Sequence, residues 1–267
     1  MKQRIDVFMA SNGLADSREK AQALIMAGQV YLGEKKVLKA SEQVPQDAQI
    51  VVRGAQDAAF ASRGGHKREK AIVAFSADVR DAVAMDIGAA AGGFTDVLLR
   101  HGAAHVYAID VGYGQLAWSI RNDPRVVVME RTNIRNVTEE QVPDEPDLAA
   151  IDVSFISLKL VFPVLRRIMA PTAEICCLIK PQFEAGREKV GKKGVVKEAA
   201  THAEVLEKVI AYAGESGFSV RGLTFSPVRG PEGNIEFLGH FVSGGTAADV
   251  DPAAVVRAAH DSLEGNV

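Results

Sequence analysis

The stretch AVAMDIGAAAGGFTDVLLRHGAAHVYAID, residues 82–110, decides the fold of this chain. An apolar run ends at Asp86-Ile87-Gly88, a loop of small residues leads to Gly92-Gly93, and a helical pattern runs from Phe94 to Arg100. A second apolar run ends at Asp110. This order of strand, glycine loop, helix and strand predicts one βαβ unit of a parallel sheet. In such sheets ligands bind at the carboxyl ends of the strands, over the first glycine loop.

The loop favours a nucleoside-bearing ligand that carries positive charge. Glycine lets the backbone approach a ligand that a Cβ atom would exclude, and Asp110 can accept hydrogen bonds from a ribose diol. Three alanines after Gly88 break the G-x-G-x-x-G pattern of dinucleotide sites, and no GKS or GKT triplet of ATP sites occurs. Asp86 would repel a pyrophosphate but suits the ammonium and sulfonium groups of S-adenosylmethionine. The alternative is a loop that only turns tightly.

Composition is that of a soluble globular protein with room for one large and one small domain. The 267 residues are 47% hydrophobic and 24% charged. Cys176 and Cys177 are neighbours in an apolar run, which predicts no disulfide framework and a cytosolic location. The N-terminus lacks the apolar core of a signal peptide. The most apolar window, residues 148–170, carries four charges, so we predict no membrane span. The histidines lack metal-ligand spacing, so we predict no metal.

Charge is distributed unevenly along the chain, whose net charge is −3. Residues 1–80 carry 13 Lys and Arg against 9 Asp and Glu, whereas the remainder carries 18 against 25. A basic arm on an acidic body favours contact with a polyanion, and an ordinary solvated surface is the alternative.

Residues 1–56 are predicted to form a small αβ module. Ser17 is a suitable N-cap for a helix from Arg18 to Ala27, and Gly28 can end that helix. The patterns R-x-D-V-F, S-R-E-K-A and G-x-V-Y resemble the small RNA-binding domain of ribosomal protein S-four. The basic positions of that domain, which would hold phosphates of structured RNA, correspond to Arg4, Arg18, Lys20 and Lys39.

Residues 57–61 are predicted to be a linker, and residues 62–267 a second domain. Further apolar runs predict strands at 126–129, 148–151, 175–179, 218–225 and 235–241, the last two as an antiparallel pair. A terminal helix of unknown purpose is predicted at about 252–263. The fold class is therefore α/β, with a seven-stranded sheet that is mostly parallel and has one antiparallel strand.

Seven motifs resemble the TlyA-type family. They are SRGGHK (62–67), DIGAAAGGFTD (86–96), DVGYGQLAW (110–118), RTNIRNV (131–137), IDVSFISL (151–158), IKPQFE (179–184) and GPEGNIEF (230–237). Members join an S-four-type domain to a Rossmann-like, FtsJ-like methyltransferase domain that uses S-adenosylmethionine to methylate ribose 2′-hydroxyls of ribosomal RNA. The resemblance implies ribosomal subunits as partners, a cytidine as the target, no membrane, a monomer in isolation and a cytoplasmic location.

The resemblance also implies a Lys-Asp-Lys-Glu catalytic set, which falls on Lys67, Asp152, Lys180 and Glu236. Asp152 and Lys180 each follow a predicted strand, so they should converge beside the glycine loop. A ribose hydroxyl is a poor nucleophile until a positioned base accepts its proton, and Lys180 is predicted to be that base. The two carboxylates would orient the ammonium groups. A purely structural set of ion pairs is the alternative.

The other predicted site residues fall into two groups. Cofactor binding is predicted for Asp86, Gly88, Ala89, Gly92, Gly93, Phe94, Asp110, Val111, Asn133 and Asp152. RNA binding is predicted, beyond the first domain, for Arg63, Lys189 and Lys192. The last two belong to a basic loop at 186–197 that is predicted to be mobile, and a disordered surface loop is the alternative.

Three functions remain open from the sequence. The first is the RNA 2′-O-methyltransferase that the resemblance implies. The second is a catalytically silent RNA-binding or ribosome-assembly factor, against which the complete set of acidic and basic site residues argues. The third is a pore-forming hemolysin, because members of the family are often labelled so, although no membrane-spanning stretch or secretion signal supports it.

Overall fold

The computed structural model describes residues 2–12, 14, 15, 17–26, 28–32, 35–45, 48, 50–52, 78–230 and 232–264. The chain divides into two compact units, Met1–Ala61 and Ser62–Val267. The limits of the predicted domains stay predictions, because the intended linker lies outside the described residues. Arg63 and Lys67 also lie outside them.

The smaller unit combines two helices with short antiparallel strands. Its elements are β1 (Lys2–Arg4), α1 (Ile5–Ser11), α2 (Arg18–Met26), β2 (Val30–Leu32), β3 (Lys35–Lys36), β4 (Gln43–Pro45) and β5 (Ile50–Val52). Strand β2 pairs with both β3 and β5, and β1 pairs with β4. Its core is made by Ile5, Phe8, Met9, Ala21, Ile25, Val30, Val37 and Val44.

The ends of α2 follow the sequence signals. Ser17 Oγ accepts the backbone N–H of Lys20 at 3.1 Å, which confirms the predicted N-cap. Gly28 follows the helix with φ +69°, a conformation that favours glycine.

The larger unit is built on one seven-stranded sheet. Its strands are β6 (Val83–Ile87), β7 (His105–Ile109), β8 (Val126–Met129), β9 (Leu148–Ile151), β10 (Glu174–Ile179), β11 (Phe218–Phe225) and β12 (Phe237–Ser243). The strand order is β11-β12-β10-β9-β6-β7-β8. Strand β12 is antiparallel to both of its neighbours, and the other pairs are parallel. The predicted fold class is confirmed.

Helices cover both faces of this sheet. They are α3 (Gly93–Arg100), α4 (Trp118–Arg121), α5 (Phe162–Ile168), α6 (Pro181–Glu184), α7 (Ala199–Glu215) and α8 (Pro252–Glu264), with 3-10 turns at Ile134–Asn136, Leu158–Leu160 and Arg187–Lys189. Along β7, Tyr107 and Ile109 join the core that includes α5, α7 and α8, whereas Ala108 packs with Leu116 and Ile120. The alternation places these residues on opposite faces, and a parallel sheet needs both faces covered.

The two cysteines are free and fully buried. Burial raises the pKa of the Cys176 thiol to about 12, so this thiol is unreactive at neutral pH. Within the described residues, none of the helices combines the length and the apolar character that crossing a membrane requires. The same residues contain no group of three or more His, Cys, Asp or Glu that could hold a metal ion.

Candidate active site

A cavity of about 640 Å³ opens at the carboxyl ends of β6, β7 and β9. Four segments supply most of its lining: the glycine loop, the residues after β7, the turn at Thr132–Arg135 and the segment after β9. The predicted residues among them are Gly88, Asp110, Val111, Asn133 and Asp152.

The first glycine of the loop is required by its neighbour in space. Gly88 has φ +88°, and a Cβ atom there would lie 2.5 Å from the carbonyl oxygen of Asp152. The N–H groups of Gly88 and Ala89 both donate to the carbonyl of Ile109, at 2.9 and 3.2 Å. These contacts hold the loop against the ends of β7 and β9, where it forms one wall of the cavity.

Asp110 connects the loop to the end of β7. One carboxylate oxygen accepts the N–H of Ala90 at 2.8 Å, and the other accepts the N–H of Gly112 at 2.6 Å. A carboxylate has about four lone-pair positions, so these two bonds leave acceptor capacity toward the cavity. Asp110 can therefore hold the loop and still receive hydroxyl donors.

Asp86 has a different place from the one that its charge predicts. Its side chain is fully buried, and Oδ2 accepts both the N–H and the hydroxyl of Thr95, at 2.8 and 2.7 Å. The carboxylate thus lies at the positive N-terminal end of α3, where it stabilises the first turn. Asp86 is not among the residues that line the cavity.

Four other predicted residues also act from behind the cavity wall. Ala89, Gly92, Gly93 and Phe94 are absent from its lining. Gly92 has φ +89°, and a Cβ atom there would lie 2.6 Å from Ile120. These residues shape the loop and the start of α3, and their cofactor contacts stay predictions.

Val111 and Asn133 do line the cavity, on the side of β7 and β8. Val111 is 70% exposed, which is unusual for an apolar residue beside a buried strand. Asn133 Oδ1 accepts the backbone N–H of Arg135 at 3.1 Å and so caps the 3-10 turn. This bond leaves the amide nitrogen of Asn133 as the group that can donate a hydrogen bond to a ligand.

Lys180 and Asp152 form an ion pair at the carboxyl ends of β10 and β9. Lys180 Nζ lies 2.6 Å from Asp152 Oδ1, and the two side chains are 10% and 7% exposed. The ammonium also donates to Ser154 Oγ at 3.1 Å. Pro181 begins α6 directly after Lys180, and its fixed φ sets the direction in which the backbone leaves the strand.

The register of β12 against β10 places Glu236 at the same end of the sheet. Phe237 faces Ile179 in the antiparallel pair of β12 and β10, so the residues next to them, Glu236 and Lys180, adjoin each other across the two strands. Glu236 is 1% exposed. A Cβ atom on Gly230 would lie 2.6 Å from its carboxylate, so the glycine leaves the room that Glu236 occupies.

Ser154 and Phe155 are among the cavity-lining residues that the sequence did not predict. Ser154 contacts Lys180, and Phe155 is 92% exposed with φ +63°, a strained conformation for an aromatic residue. The ring of Phe155 lies 5.1 Å from that of Phe183, centroid to centroid. Their position directly after Asp152, at a strand end, was the signal that would have found them.

The predicted RNA-binding residues differ in their partners. Arg4 and Arg18 both pair with the fully buried Asp6, at 2.9 and 3.0 Å. Hydrogen bonds from Arg4, together with those from Gln22 and Arg18, hold the pKa of Asp6 well below its usual range. Lys20, Lys39 and Lys192 are exposed, and Lys189 pairs with Glu204.

Comparison with known proteins shows the family of each part. Residues 60–242 match the FtsJ-like methyltransferase family, and residues 3–50 match the S4 domain. The chain belongs to the FtsJ-like methyltransferases. The TlyA-type resemblance is confirmed by the relatives of this methyltransferase.

Two relatives and one solved structure match most of this chain. YqxC of Bacillus subtilis, provisionally named an rRNA methyltransferase, is 46% identical over 98% of this chain and 96% of its own. The 16S/23S rRNA (cytidine-2′-O)-methyltransferase TlyA of Mycobacterium tuberculosis is 45% identical over 88% of both chains. A structure from Streptococcus thermophilus, provisionally named a hemolysin, is 42% identical with a TM-score of 0.76, covering 99% of this chain and 98% of that one.

Proposed function

We propose that this methyltransferase transfers a methyl group from S-adenosylmethionine to the 2′-hydroxyl of a cytidine ribose in ribosomal RNA. The observation that carries the proposal is the Lys180–Asp152 ion pair beside the glycine-loop cavity. The relatives named above, and the S4 domain at the N-terminus, support ribosomal RNA as the substrate. We further propose that the enzyme acts on ribosomal subunits, in the cytoplasm and as a monomer.

The residues of the cavity fit the proposed cofactor. Its volume of about 640 Å³ lies in the usual range for cofactor sites. Asp110 offers acceptors for ribose hydroxyls, and Gly88 leaves the backbone bare where a Cβ atom would intrude. When bound, S-adenosylmethionine supplies a methyl group activated by its sulfonium.

The ion pair supplies the chemistry on the side of the hydroxyl. As a base Lys180 must be a neutral amine, so its ammonium would first lose a proton to water; Nζ would then face the 2′-hydroxyl and accept its proton as the oxygen gains the methyl group. Asp152 and Ser154 hold Nζ at 2.6 and 3.1 Å, which fixes the direction of its remaining contact. Glu236, adjoining Lys180, would balance the positive charge that this step creates. Alignment of the reacting groups supplies much of the remaining acceleration. In this proposal Lys67 is the fourth member of the catalytic set, with Asp152, Lys180 and Glu236.

Two measurements test the function. The first is methyl incorporation from labelled S-adenosylmethionine into ribosomal subunits from cells without this protein, followed by mapping of the modified riboses. The second is calorimetric titration of S-adenosylmethionine into wild type and Asp110→Ala. We expect one or a few methylated cytidines, and at least tenfold weaker cofactor binding in the variant, because a hydrogen bond to a charged acceptor contributes about 1.5–3 kcal/mol.

The outcomes separate the competing functions. A protein that binds subunits but transfers no methyl group would be an assembly factor, and the proposal would be wrong. If the protein binds neither S-adenosylmethionine nor RNA, both functions are excluded, and the pore-forming hemolysin is the function left to test.

A further inference from the structure

A second cavity in the larger unit has basic walls. Its volume is about 690 Å³. Two acidic side chains, Glu198 and Glu232, line it against five basic ones: Lys189, Lys192, Lys193, Lys197 and Arg229. A concave wall with excess positive charge concentrates anions from solution.

The loop that carries these lysines is closed by hydrogen bonds. The fully buried Asn234 accepts the N–H of Val196 at 3.0 Å and donates to the carbonyl of Gly194 at 2.9 Å. Gly191 donates to the carbonyl of Val195 at 3.0 Å, and Gly194 turns with φ +74°. These hydrogen bonds shape the loop so that its lysines surround the cavity.

A pair of histidines also lines this cavity. His202 Nε2 lies 3.2 Å from the carbonyl oxygen of Val196, and its Nδ1 lies 3.0 Å from His260 Nε2. Because a carbonyl oxygen only accepts, His202 carries its proton on Nε2, and His260 donates to Nδ1. Burial, with smaller contributions from His260 and Arg229, lowers the pKa of His202 to about 4, in keeping with a neutral ring.

The histidine pair joins the C-terminal helix α8 to the basic loop. His260 belongs to α8, and Arg229 donates to the carbonyls of Leu263 and Gly233 at 3.3 and 3.1 Å. The sequence assigns no purpose to α8. In the structure it supports the wall of the second cavity and positions Arg229.

One residue that lines the cavity is a chain neighbour of a proposed catalytic residue. Ile235 lines the cavity, and the next residue is Glu236, which adjoins Lys180. The wall of the cavity and the proposed catalytic set are therefore joined by consecutive residues of the chain. RNA carries a phosphate on each side of every ribose, and lysine is a common point-charge partner of phosphate.

We propose that the second cavity binds one backbone phosphate of the RNA substrate near the methylated nucleotide. The inference rests on the proposed function, because it specifies how that substrate is held. Free inorganic phosphate has the same chemistry, and the experiment distinguishes the two sources.

The test uses the full chain with Lys192→Gln and Lys193→Gln combined. Both lysines are exposed, so the double variant should fold normally. Its matched control combines Arg167→Gln and Arg221→Gln, which removes two exposed charges of the same unit outside both cavities. The measurements are kcat and KM for ribosomal subunits at several salt concentrations, with saturating S-adenosylmethionine.

Loss of one phosphate contact has a defined signature. The slope of log affinity against log salt should become shallower by about 0.7–0.9, which corresponds to roughly five- to eightfold weaker binding at 0.1 M salt. We expect KM to rise by that factor in the lysine variant alone, with kcat and the affinity for S-adenosylmethionine unchanged. A lysine variant that matches its control in KM and salt slope, while wild type methylates RNA, would overturn this inference and leave the proposed function standing.

Inorganic phosphate is titrated separately, with the imidazole resonances of His202 and His260 as the readout. Saturation by phosphate with no change of KM in the lysine variant would assign the cavity to free phosphate, against the proposal. If wild type transfers no methyl group, the proposed function fails. Direct RNA binding by the two double variants then still decides whether the cavity holds an RNA phosphate.

Discussion

Replacing Lys180 by arginine separates proton transfer from charge pairing. Lys180 Nζ lies 2.6 Å from a carboxylate oxygen of Asp152, and both side chains are mostly buried. Removing the ammonium in Lys180→Ala would take away this partner of a buried carboxylate, a change that typically destabilises by about 3–5 kcal/mol. Arginine keeps a positive charge beside Asp152 but stays protonated at every accessible pH, so it cannot accept the hydroxyl proton.

The expected loss follows from the role of a general base. Such a group contributes about 10²–10⁴ in rate, which is roughly 2.7–5.4 kcal/mol of the activation barrier. We expect Lys180→Arg to lose that factor in single-turnover methyl transfer to ribosomal RNA. Its thermal midpoint and its affinity for S-adenosylmethionine should stay close to wild type. Lys159→Arg, at an exposed lysine of the same unit, is the control and should keep its rate.

A near-normal single-turnover rate in Lys180→Arg would refute the reasoning. Lys180 would then serve only to hold charge beside Asp152, and water or another group would take the proton. A variant that loses both rate and thermal stability would be uninformative about the base, and for this reason the melting curve is recorded with the kinetics.

Three further changes test other parts of the structure. Gly88→Ala should abolish cofactor binding and, in denaturant titration, lower the free energy of unfolding by about 1–3 kcal/mol, because an alanine there would have a positive φ and a crowded Cβ atom. The control Gly214→Ala, in open space on a helix, should change neither quantity. The unfolding free energy should fall as the pH drops from about 6.5 toward 4, because burial lowers the pKa of His202 to about 4 and the unfolded state takes up its proton first; a His202→Gln profile just as steep would contradict this. Arg18→Ala should weaken RNA binding, make its salt dependence shallower and also reduce stability, whereas Lys20→Ala should change RNA binding alone, because only Arg18 pairs with a buried carboxylate.

The sequence predicts best where one short segment determines the structure. The βαβ unit followed from two apolar runs and the glycines between them, and β6, α3 and β7 lie where these patterns place them. Asp110 could be assigned to the cavity because the end of a parallel strand always meets the ligand edge of the sheet. The same rule placed Asp152 beside the glycine loop, and a Cβ atom on Gly88 would meet its carbonyl.

The sequence predicts less where a side chain finds its partner through the fold. Asp86 lies near the end of a strand and carries charge, so it looks like a ligand contact, but the N–H and hydroxyl of Thr95, nine residues later, donate to that carboxylate. The alternation along a strand shows which residues share a face and not what covers that face. Arg18 looks like a free surface cation for the same reason, since only the packing of α1 against α2 brings it to Asp6, where Arg4 already pairs two residues away along the chain.

The segment just before β12 carries residues of both proposed sites. Lys180 and Glu236 are far apart in sequence, and they adjoin only because β12 inserts between β10 and β11 in the antiparallel direction. Had the chain added its last strand in parallel at the edge, Glu236 would begin that strand at the opposite end of the sheet. The antiparallel insertion also brings the segment before β12 to the basic loop after β10, where Asn234 bonds to Val196 and Gly194. The antiparallel direction of β12 therefore brings Glu236 to Lys180, and it brings Asn234 to the loop that forms the wall of the second cavity.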